Sequence, residues 1–145
     1  MSQQLGFILR NKANSEINLE AGWFSTTPAR IISIESNLRY TENEISIDED
    51  FLKETLADLK DELDSYIKSQ ASIEKKMQDL KETAYKCTSP NVVARILEKI
   101  EDLQNDWDGY QDEIEDYQHY INKIEFISDL YSENKEDWNL YYYNC

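Results

Sequence analysis

Carboxylates are the residues best placed to do chemistry. Nine of them crowd residues 98–116: Glu98, Glu101, Asp102, Asp106, Asp108, Asp112, Glu113, Glu115 and Asp116. Lys99 alone opposes them, which leaves a net charge of -8 in nineteen residues, more than half of the chain's -15. Acids at such density serve acid–base catalysis, cation binding, or docking onto a basic surface. Spacing decides among the three.

Cation binding fits poorly. "DWDGYQDEIE" carries acids at 106, 108, 112 and 113, but its glycine stands fourth and the closing Glu is missing, so the twelve-residue calcium loop is not formed. Di-metal sites in helix bundles need inward Glu and Glu-x-x-His motifs, whereas these acids fall off the apolar seam. One histidine, His119, and two distant cysteines make no zinc set. With glycines only at 6, 22 and 109, no phosphate-cradling loop exists. His119 reads as a surface residue, and neither catalysis, metal nor cofactor is expected. An enzyme would need a pocket around Trp23, Arg30 and Arg39.

Docking remains. Like charges three or four residues apart destabilise a helix by roughly a few tenths of a kcal/mol each, and a solvated face usually interleaves signs. Carboxylates at this spacing, with Cβ atoms about 5–6 Å apart, approach the charge density of a nucleic-acid backbone. The bland alternative is solubility. In charge and size the chain resembles small acidic inhibitors such as phage anti-restriction and anti-CRISPR proteins and the immunity proteins of nuclease toxins. That likeness implies anti-defence or immunity activity by nucleic-acid mimicry.

The elements that carry the acids follow from periodicity. The composition is helical, with 40% apolar and 31% charged residues, three glycines and two prolines in 145 residues. The fold expected is α+β, predominantly α: one domain with a small α/β head at 1–47, a coiled-coil-like helical hairpin at 48–131 and a tail at 132–145. Apolar residues from Leu52 to Ala84 alternate in steps of four and three, interrupted at Gln70, which predicts a helix over about 48–85. A second seam runs Val93, Ile96, Ile100, Leu103, Trp107, Tyr110, Ile114, Tyr117, Ile121, Ile124 without a break. It predicts a helix over about 90–131, opened by Ser89 and Pro90. The short link makes the helices antiparallel neighbours. Trp107, Tyr110 and Tyr117 therefore read as packing residues. Gly109 costs about 1 kcal/mol relative to Ala, and either admits a neighbour or marks a kink.

Residues counted back from the loop should pair when their numbers add to about 174, which places Gln70 against Gln104. Ile67, Leu97 and Tyr120 lie off the seam and could face a second copy. In the head, "LGFILR" and "EINLEAGWF" around the turn-like "NKANS" predict a β-hairpin. Residues 28–40 fit helix or strand, with a short helix favoured. The tail "SENKEDWNLYYYNC" is expected to form a short helix docking Trp138, and the head to sit on the open end of the hairpin.

No apolar run approaches a membrane span, and two free thiols suit a cytoplasmic protein. The expectation is a non-enzymatic inhibitor or adaptor whose acidic strip occupies a basic, nucleic-acid-binding surface of a partner such as a nuclease. Direct binding to nucleic acid or membrane is not expected at this charge. The alternative is a structural protein that self-associates through the hairpin as a homodimer.

Overall fold

The structure is a computed structural model that describes residues 5–24 and 44–144. The segment 28–40 and Cys145 lie outside them. The described elements, in order, are β1 (Leu5–Asn11), β2 (Asn18–Phe24), β3 (Glu44–Ile47), α1 (Glu49–Lys86), α2 (Pro90–Asn134) and β4 (Trp138–Asn144). Two long antiparallel helices and a four-stranded antiparallel sheet give the expected α+β, mostly α class. The chain divides into two compact units, Met1–Lys60 with His119–Cys145, and Asp61–Gln118; both helices run through both.

In the first unit the strands lie in the order β2-β1-β4-β3. The β1–β2 hairpin forms where "NKANS" predicts it. The Asn11 side-chain oxygen accepts from the backbone N–H of Ala13 (2.9 Å) and Asn14 (3.0 Å), and Asn14 does the same for Glu16. Asn closes turns in this way by mimicking the backbone. The tail corrects an expectation. Residues 138–144 form not a short helix but β4, paired along its length with β1 and at its outer part with β3. "WNLYYYN" is rich in aromatics that favour a pleated surface, and its Leu140 and Tyr142 share one face.

That face carries the core. Phe7, Leu9, Ile47, Leu140 and Tyr142 are buried there, and Phe7 meets Tyr142 edge-on with centroids 5.0 Å apart. Leu52, Leu59, Ile124 and Ile127 complete the core from the helices. A bulge between Phe7 and Ile8 leaves Ala21 as the extra residue of β2. Gly22 comes so close to α2 that a Cβ there would stand 2.9 Å from Ile127 Cδ1.

On the opposite face Arg10 stacks over the Tyr141 ring at 4.7 Å and forks onto Glu44, its Nη2 lying 2.8 Å from Oε2. This hydrogen-bonded pair lowers the Glu44 carboxyl below the ordinary value, against the opposing effect of burial. The helix ends are chemically marked. Asp48 caps α1 by accepting from Phe51 N–H at 2.7 Å. Pro90 opens α2, and Asn134 closes it by donating to the Leu130 carbonyl.

In the second unit the heptad seams hold, with Ile73, Met77, Ile96, Ile114 and Tyr117 most buried. The register differs from the expected one. Gln70 Nε2 donates to Gln111 Oε1 at 2.8 Å, two helical turns beyond Gln104, with the Trp107 carbonyl at 3.4 Å. Gln104 instead donates to Asp108 along its own helix. Side-chain direction accounts for part of the offset. Cα–Cβ bonds tilt toward the N-terminus, so α1 side chains lean away from the loop and α2 side chains lean toward it. Side chains that meet therefore carry larger numbers than backbone atoms at the same level. The Trp107 indole N–H reaches Glu74 at 2.8 Å by the same offset.

Candidate acidic docking surface

All nine carboxylates of 98–116 are exposed, and all lie on one uninterrupted helix in the second unit. At 3.6 residues per turn they form two rows. Glu98, Asp102, Asp106, Glu113 and Asp116 follow one row past Gly109, and Glu101, Asp108, Asp112 and Glu115 follow the other. Trp107, Tyr110 and Tyr117 pack inward from the same stretch, half-buried or buried as the seam predicts. Burial drives the Tyr117 phenol well above its ordinary value, and its hydrogen bond to the Glu62 carboxylate adds to the rise. Tyr117 is therefore a neutral donor at any working pH.

Beside the first row the helices leave an open groove of about 730 Å³. Its small side chains are Ser69, Ser72 and Gly109; Tyr66 and Tyr110 stand beside them, with centroids 6.0 Å apart and planes at 51°. Asp106 and Glu113 border it. A Cβ added to Gly109 meets nothing within 4 Å, so no intrachain neighbour requires this glycine. Position 109 is helical with negative φ, so backbone conformation does not require it either. The groove was not legible in the sequence, because it depends on which residues of two helices face each other. The small residues at 69, 72 and 109 were the available signal.

The other expected positions separate. Ile67 and Leu97 are exposed, at 43% and 56%, and Val92 joins them at 44%. Tyr120 is a correction: at 8% exposure it is buried, so it is not presented to a second copy. His119 is exposed and lines a shallow cavity of about 340 Å³ with Asn122, Lys123 and Phe126; among the described residues the lining supplies no carboxylate, hydroxyl or thiol. Arg30 and Arg39 lie outside the described residues. Among the described residues no three His, Cys, Asp or Glu side chains converge as metal ligands, and no helix is long and apolar enough to cross a membrane. No family model, curated protein or solved structure matches the chain.

Proposed function

We propose that the chain is a non-enzymatic inhibitor or adaptor that lays its acidic helix on the basic, nucleic-acid-binding surface of a partner protein, in the manner of an anti-defence or immunity protein. One observation carries this reading. Nine carboxylates with a single intervening lysine stand exposed on one continuous helix, where they can neutralise a basic groove; Asp108 and Glu115 among them accept a hydrogen bond, each from a neutral glutamine on the same helix. Repulsion along such a helix is a standing cost, which a basic partner would relieve. Complementary charge raises the association rate and makes it salt-sensitive.

The experiment is titration of a candidate nuclease at rising ionic strength. Affinity should fall steeply, and a variant with Asp106, Asp108, Asp112, Glu113 and Asp116 changed to Asn or Gln should lose inhibition. Salt-independent binding, or full inhibition by that variant, would sink the reading.

A second reading has its own support. Exposed Ile67, Val92 and Leu97 give the second unit apolar surface suited to another copy. A homodimer with a structural role would bury it. Light scattering at micromolar concentration separates the two, since a strict monomer removes the dimer.

A further inference from the structure

We infer that the groove beside Gly109 seats an arginine side chain carried by a basic segment of the partner. This rests on the proposed function and deepens it by naming how the partner is anchored. The gap is open where a cation would be held best. Asp106 and Glu113 stand one turn to either side of Gly109 on α2, and the absence of a Cβ clears the helix surface between them. Across the gap Ser69 and Ser72 offer hydroxyls rather than bulk, and the tilted rings of Tyr66 and Tyr110 line it.

A guanidinium suits all three features together. Its plane stacks on an aromatic ring, its forked N–H groups pair with carboxylates, and it is more weakly hydrated than an ammonium. Lysine, a compact and strongly hydrated charge, meets the carboxylates but gains little from the rings. An apolar segment would desolvate Asp106 and Glu113 with no charge to compensate them. A second copy would bring its own acidic surface and -15 net charge to the same rim. Lys76 is the base that lines the groove, and it pairs with neither acid. Its charge opposes an incoming cation, so Lys76→Met should tighten binding.

The test uses the full chain and two fluorescent peptides of about nine residues, one all Arg and one all Lys, followed by anisotropy at about 0.15 M salt. Wild type should prefer the Arg peptide by about fivefold, the scale of a cation–π contact. Gly109→Leu fills the groove, leaves every carboxylate in place and improves helix propensity. It should abolish the Arg preference while its melting temperature holds or rises, which separates occlusion from unfolding. If Gly109→Leu keeps the preference while the five-site amide variant loses binding, the groove inference is overturned and the acidic-strip reading stands. If the amide variant binds both peptides like wild type, the acidic-strip reading itself falls. A dimer that Gly109→Leu converts to a monomer would assign the groove to a second copy and overturn the inference.

Discussion

The two units share the same two helices and differ in what covers them. In the unit that contains the sheet, Phe7, Leu52, Thr55, Leu59, Ile124, Ile127, Leu140 and Tyr142 are essentially without exposure. In the other unit the best-buried residues retain a margin, with Ile114 at 6%, Met77 at 7% and Ile73 at 9%. A helix that faces one partner covers a stripe and leaves its flanks wet, whereas a sheet added to the helix pair closes a core on all sides. The sheet-covered arrangement concentrates stability. The bare helix pair leaves much of its side-chain surface available, and the acidic rows and the groove are both found there.

The largest test of this contrast compares the same substitution in each unit. Ile124→Ala should cost about 4 kcal/mol and Ile96→Ala about 2, because a partly wet site loses less transfer energy and collapses or hydrates more easily. Denaturant titration measures both, and equal costs would remove the contrast. Next is Gly22→Ala, which sets a methyl 2.9 Å from Ile127 Cδ1. It should destabilise by about 1 kcal/mol, and Ile127→Val in the same chain, which removes that Cδ1 atom, should recover part of the loss. Simple additivity in the double mutant would show that the approach is not tight.

The smallest effect is electrostatic. The Glu44 carboxyl is lowered by its hydrogen-bonded pair with Arg10, so its contribution is complete above the ordinary carboxylate value. It is lost as pH falls through the lower folded value. With side chains 24% and 35% exposed, the contribution should be below about 1 kcal/mol. Stability of Glu44→Gln measured against pH should lack this acid-side component. A wild-type and variant difference that stays constant from neutral pH into acid would refute the assignment.

What the sequence disclosed was local. The helices were legible because heptad seams repeat within a few residues, and the hairpin because Asn11 and Asn14 make their own turn. β4 was missed because its partners lie at residues 5–11 and 44–47, and no short window contains that pairing. β3 was not legible at all, since the four residues of "EISI" hold too few alternations to distinguish a strand from the approach to a helix cap. The register failed in part through side-chain tilt, which counting along the backbone ignores. Of the candidate site, the carboxylate rows were visible because exposure follows from helical phase. The groove, by contrast, required Tyr66, Ser69 and Ser72 to be placed opposite residues some forty positions away.

The pairing of β1 with β4 also sets a schedule for synthesis. At roughly 5–20 residues per second, β1 emerges several seconds to tens of seconds before Trp138–Asn144 exists to meet it. During that interval β1 has β2 on one side and an unpaired row of N–H and C=O groups on the other, with Phe7 and Leu9 uncovered. Such an edge invites pairing with another nascent chain. The helices form within about a microsecond of leaving the ribosome and shorten the loop that β4 must close. The sheet is thus completed last, and crowded translation on one messenger should be the condition under which this chain aggregates most readily.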